Sequence, residues 1–75
     1  MEIMEAETKH TRFKRLAILR GNRLLKDIKL LGNLSNTNNY SYTDAEVAKI
    51  FSMIEEELKV AKTRFKSGYR REIKF

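Results

Sequence analysis

The apolar residues of this chain recur in two long blocks at helical spacing, and a polar, uncharged stretch separates the blocks. In the first block they repeat at steps of three and four residues from Ile3 to Leu31, which places them on one stripe of a helix. In the second block the same spacing runs from Val47 to Phe65 and gives a narrower stripe. The pattern therefore predicts two amphipathic helices, helix 1 over about residues 3–31 and helix 2 over about residues 43–67.

The stretch between the blocks carries a helix stop signal followed by a helix start signal. Gly32 comes directly after the last apolar pair of helix 1, where a left-handed residue ends a helix at least cost. Thr43 stands three residues before Glu46, so the two residues are spaced to bond each other's backbone amides as a capping box. Tyr42 and Val47 have the spacing of a hydrophobic staple around that cap. We therefore predict a loop over residues 32–42.

Two amphipathic helices joined by a short loop predict an all-α fold, an antiparallel helical hairpin that forms a single domain over residues 1–75. Some apolar residues lie outside the two stripes, which predicts a further packing layer. A chain of this length also buries only about 60% of its unfolded surface. We therefore expect a homodimer that forms a four-helix bundle. The expected interface residues are Leu16 and Leu25 of helix 1 and Met53 and Val60 of helix 2.

The net charge of +6 is unevenly distributed. Residues 8–31 carry eight bases and a single acid, Asp27, and the basic tail, residues 68–75, carries three bases and Glu72. On a 3.6-residue period, five cations of helix 1 lie opposite its apolar stripe, with Leu19 and Leu30 among them. We call these five the basic face: Arg12, Arg15, Arg23, Lys26 and Lys29. Because an ordinary exposed helix mixes charge signs, this surplus indicates an anionic partner.

Other classes of function find little support in the sequence. The chain has no cysteine, no apolar run of about 20 residues and no signal-peptide order, so we expect a cytoplasmic protein outside the membrane. Glu7 and His10 have the Glu-x-x-His spacing of four-helix metal sites, but the stripe of helix 2 offers no inward carboxylate. A single histidine without a placed nucleophile makes no catalytic group. We therefore expect no enzyme activity, no cofactor and no metal.

The leading expectation is a non-enzymatic module that binds RNA or DNA through phosphate contacts with little sequence preference. The basic face would make these contacts, and Arg70 and Arg71 of the basic tail would extend them. The alternative is a protein-interaction accessory or inhibitor subunit that docks on a larger protein or nucleoprotein complex. The spare apolar residues and the loop tyrosines, Tyr40 and Tyr42, favour that alternative.

Part of the sequence is similar to a group of small uncharacterised helical proteins of bacteria, some of them carried on mobile elements. The resemblance covers about residues 12–65, and its distinctive part runs from Gly-Asn-Leu-Ser-Asn at 32–36 through Asn-Tyr-Ser-Tyr-Thr at 39–43 to Val-Ala-Lys-Ile-Phe at 47–51. It implies a shared hairpin and a mobile-element setting. It assigns no activity and no functional residue.

Overall fold

The computed structural model describes residues 7–66 and residue 68. The chain divides into two compact units, the first ending at Tyr40 and the second beginning at Ser41. Helix α1 spans Lys9–Gly32, a 3-10 turn follows over Asn33–Ser35, and helix α2 spans Asp44–Lys66. Since the described residues contain two α-helices and no strand, the all-α prediction and the helix–loop–helix order of a hairpin are confirmed.

Helix α1 begins later than the sequence pattern predicted. Thr8 is extended, with φ −74° and ψ 165°, and its hydroxyl accepts a hydrogen bond from the Thr11 amide at 3.0 Å. The Thr11 hydroxyl donates in turn to the Thr8 carbonyl at 3.1 Å. Thr8 is therefore the N-cap residue of α1, which begins at Lys9, so the prediction of one helix that runs through Thr8 is wrong; the predicted start near residue 3 lies outside the described residues.

The end of α1 also differs from the prediction. Gly32 has φ −62° and ψ −28°, the right-handed helical region, and belongs to the helix. Asn33 continues in the same region, and its amide points at the carbonyls of the last helical turn. The helix therefore ends by tightening into a 3-10 turn, and the predicted left-handed glycine at position 32 is wrong. The 3-10 turn satisfies the terminal carbonyls without a left-handed residue.

This geometry gives Gly32 a testable role. A Cβ atom at Gly32 would meet nothing within 4 Å, so we expect Gly32→Ala to raise the free energy of unfolding by about 0.4–1 kcal/mol by restricting the unfolded chain. Gly68, with φ 69°, is the matched control, because alanine there costs about 1–2 kcal/mol. Thermal unfolding followed by circular dichroism measures both. A Gly32→Ala variant that melts earlier than the wild type would show that residue 32 is left-handed after all.

Asparagines organise the loop between the helices. The Asn36 side-chain oxygen accepts from the Asn38 amide at 3.0 Å, an Asx turn, and the Asn36 carbonyl accepts from the amides of Asn39 and Tyr40 at 3.1 and 3.0 Å. Asn36 itself is extended, with ψ 102°, and ends the 3-10 turn. Asn36 thus holds this part of the loop through one side-chain bond and two bonds to its backbone carbonyl.

The start of α2 forms as predicted. The Glu46 amide donates to the Thr43 hydroxyl at 3.1 Å, and the Thr43 amide donates to the Glu46 carboxylate at 2.9 Å. These two bonds are the complete capping box, so that prediction is confirmed. At the other end, the Gly68 amide donates to the Phe65 carbonyl at 3.0 Å, and Gly68 has the positive φ that is typical of a glycine just after a helix end. The rest of the predicted basic tail lies outside the described residues.

None of the side chains at 7–66 and 68 is buried. The least exposed apolar residues are Leu16 and Leu31 of α1 and Val47 and Ile54 of α2, which are half-buried. Many of the larger apolar residues in both helices remain exposed, such as Leu25 and Met53. Because exposed apolar stripes of this extent are unfavourable in water, burial of the apolar face of each helix against another surface would be favourable.

Candidate nucleic-acid interface

The basic face lies on one continuous helix. All five of its residues fall within Lys9–Gly32, and at 100° per residue they occupy one side of α1, with each side chain exposed. Leu19 and Leu30 lie among the cations and are also exposed. The structure therefore provides a helix surface about 25 Å long between Arg12 and Lys29 at 1.5 Å per residue, on which cations surround two apolar side chains.

Two residues of the basic face are engaged by Glu7, which lies just before the N-cap residue. The Arg15 guanidinium binds the Glu7 carboxylate in a bidentate way: Nε donates to Oε2 at 2.7 Å and Nη2 donates to Oε1 at 3.1 Å. The Arg12 Nε lies 3.8 Å from Oε1. One carboxylate therefore bridges two arginines at the N-terminal end of the basic face.

This bridge shifts two pKa values. The hydrogen bond from Arg15, with the charges of Arg15 and Arg12, lowers the pKa of Glu7, while desolvation opposes the shift. The hydrogen bond to Glu7 raises the pKa of Arg15. Because the Glu7 pKa is lowered in the folded state, the bridge is fully formed above the usual glutamate pKa and is lost as pH falls through the lowered value. Glu7 is therefore ionised at neutral pH.

The other three residues of the basic face have no salt bridge to any residue that the structure describes. Arg23, Lys26 and Lys29 lie on the middle and last turns of α1, where Asp27 is the one acidic residue of the helix. Asp27 stands four residues after Arg23 but makes no salt bridge with it. These three cations are therefore available to an anionic partner.

The structure places the four predicted interface residues at different degrees of exposure. Leu25 and Met53 are 60% and 65% exposed, whereas Val60 is 38% exposed and Leu16 is half-buried. Leu25 lies on α1 and Met53 on α2, each beside the main stripe of its own helix. Arg70 and Arg71, the predicted contacts of the basic tail, lie outside the described residues.

Two further features of the described residues bear on the type of site. Within residues 7–66 and 68, no three His, Asp or Glu side chains come together as a metal site would require. In the same part of the chain, neither helix combines the length and the apolar character that crossing a bilayer demands.

Glu7 is the residue that sequence reasoning missed. The predicted bounds of helix 1 included Glu7, and its spacing to His10 made it a candidate metal ligand only. Because Glu7 lies outside the helix, its side chain turns back over the first two turns and reaches Arg15, eight residues on. The signal that could have found it is Thr8 followed by Thr11, a threonine pair with N-cap spacing that places Glu7 just outside the helix.

Comparisons of this chain with protein-family models, with curated proteins and with solved structures found no match. The resemblance to bacterial mobile-element proteins therefore stays a prediction, and function is argued from the chain itself.

Proposed function

We propose that this protein is a non-enzymatic, cytoplasmic nucleic-acid-binding module whose basic face contacts the phosphates of RNA or DNA. The observation that carries the proposal is the exposed row formed by Arg23, Lys26 and Lys29, none of which has a salt-bridge partner among residues 7–66 and 68. A cationic surplus on one helix face is the electrostatic footprint of phosphate binding. Arginine and lysine bind phosphate oxygens without reading bases, so the module discriminates little between sequences.

The proposed assembly is a dimer of helical hairpins. In it, α1 and α2 pack antiparallel through their apolar stripes, and a second copy covers the spare apolar residues, giving a four-helix bundle. The support is the lack of any buried side chain in the described part of one copy, together with the 60% and 65% exposure of Leu25 and Met53. Burial of apolar surface contributes about 25 cal/mol per Å², so exposed leucine and methionine side chains favour such pairing. The basic face stays outside because it lies opposite the stripe of α1.

A salt titration tests the proposed function. If about five phosphates are neutralised, the observed affinity for a short DNA duplex falls with a log–log salt slope of about −4 to −5. Between about 50 and 200 mM NaCl that slope weakens binding by roughly 300- to 1,000-fold. The measurement is fluorescence anisotropy of labelled RNA and DNA across a NaCl series. A flat response, or no binding at low salt, would exclude the proposal.

The second candidate is a protein-interaction accessory or inhibitor subunit that docks on a larger protein or nucleoprotein complex. It is favoured by the exposed Leu25 and Met53. It is also favoured by Tyr40, the last residue of the first unit, and Tyr42, near the start of the second unit, whose side chains are 48% and 40% exposed. Nuclease treatment separates the two candidates. Docking is favoured over nucleic-acid binding by two results together. A specific protein partner remains bound after nuclease treatment, and the protein shows no salt-dependent binding of RNA or DNA.

A further inference from the structure

The Glu7 bridge combines three features that matter for binding. The carboxylate is held by the Nε and Nη2 donors of Arg15 at 2.7 and 3.1 Å, and by the charge of Arg12 at 3.8 Å. Both arginines belong to the basic face. Glu7 lies outside α1, just before its N-cap residue, so its side chain can release Arg15 without breaking a hydrogen bond of the helix.

The donors that hold Glu7 are those that a phosphate would use. A guanidinium presents two parallel N–H groups at a spacing that suits either a carboxylate or a phosphate, and the bidentate geometry is the same for both anions. A phosphate cannot occupy this fork while Glu7 occupies it. The carboxylate therefore stands in for a phosphate at the N-terminal end of the basic face.

The bridge is exposed enough to exchange. The side chains of Glu7, Arg12 and Arg15 are 36%, 59% and 56% exposed, so water and salt screen the attraction. A polyanion that already contacts Arg23, Lys26 and Lys29 brings its next phosphates to Arg15 at high local concentration. Such a partner can displace a single screened carboxylate.

We propose that Glu7 is an intramolecular competitor of nucleic-acid phosphates, which masks the Arg12–Arg15 end of the basic face until a bound strand displaces it. The inference rests on the proposed function and deepens it. It divides the basic face into an open part, Arg23 to Lys29, which makes the first contacts, and a masked part, which is engaged only after Glu7 leaves. Masking by Glu7 weakens the binding of strands that are long enough to reach both parts. It has a smaller effect on short strands that span the open part alone.

The test compares two variants with the same change in net charge. Glu7→Gln removes the competing carboxylate charge, and Glu56→Gln removes a carboxylate charge from α2, where Glu56 makes no salt bridge to a described residue. The probe is a short fluorescent single-stranded RNA, and the readout is affinity across a NaCl series. For Glu7→Gln we expect binding about 3- to 10-fold tighter at low salt and a slope steeper by about 0.7, the value of one added single-strand phosphate. For Glu56→Gln we expect an unchanged slope.

Helix content by circular dichroism accompanies each titration, because Glu7→Gln should leave α1 intact. Glu7→Asp is the second variant: it keeps the charge but shortens its reach to the fork, so it should shift binding in the same direction as Glu7→Gln. Equal slopes for the wild type and both Glu7 variants would overturn the inference while the proposed function stands. Absence of RNA binding by the wild type and all variants would overturn both.

Discussion

Replacing Ile54 with aspartate is expected to abolish the proposed dimer and most of the helix content of the protein. Ile54 lies mid-way along the apolar stripe of α2 and is one of its two half-buried residues. In the proposed bundle it becomes fully buried, and an unpaired buried charge costs about 3–5 kcal/mol. The free energy of unfolding of a small domain is only about 5–15 kcal/mol. Because each subunit of the proposed dimer would carry one buried aspartate, the total cost is a large fraction of that value. Sedimentation equilibrium and far-ultraviolet circular dichroism measure the two losses.

Ser52→Asp is the control for this prediction. Ser52 lies two residues earlier on α2 and away from the apolar stripe, so the same new side chain stays in water. Both variants place aspartate in the interior of one helix and carry the same intrinsic helix penalty. We expect Ser52→Asp to keep the mass and helix content of the wild type. If Ile54→Asp matched Ser52→Asp in both readouts, the stripe of α2 would not be an interface.

The second large effect is expected from removing two open cations of the basic face. Arg23→Ala combined with Lys26→Ala removes two proposed phosphate contacts and keeps strong helix formers in α1. We expect affinity for RNA or DNA to fall about 30-fold at low salt, on the order of 1 kcal/mol for each contact. The salt slope should become shallower by about 1.4–1.8. Anisotropy titrations at several NaCl concentrations give both quantities.

A double variant on α2 controls for the loss of two positive charges. Lys49→Ala with Lys59→Ala lowers the net charge by the same amount, and both lysines lie off the apolar stripe of α2. Because long-range attraction depends on total charge while contacts depend on position, this control should keep the wild-type salt slope. Equal losses in the two double variants would assign binding to total charge instead of the basic face.

Local sequence signals predicted the element order and some of the helix ends. The Thr43–Glu46 capping box formed as predicted, because two side chains of one helical turn bond each other's backbone amides. The ending at Gly32 was not predicted correctly, because glycine adopts both signs of φ: Gly68 has a positive φ, whereas Gly32 is right-handed and the 3-10 turn over Asn33–Ser35 ends the helix.

The sequence pattern predicted the cations of the candidate site but not the carboxylate of Glu7 that binds two of them. Periodicity placed the cations of the basic face on one side of α1, since that needs only the helix to exist. It could not find Glu7, because the bridge to Arg15 spans eight residues and depends on the chain leaving the helix at Thr8. The prediction of a helix that runs through Thr8 and the missed bridge thus have one cause, an unrecognised N-cap residue.

The most direct test of the account follows the arginine side chains while nucleic acid is added. In a nitrogen-15 labelled sample, each arginine Nε–H group gives its own resonance, and phosphate contact shifts it. With a short single-stranded RNA, we predict saturable shifts of the Arg23, Arg15 and Arg12 resonances, whereas Arg64 on α2 keeps its position. Shifts at Arg64 that equal or exceed those at Arg23, or no shift at Arg23 under conditions of binding, would contradict the account.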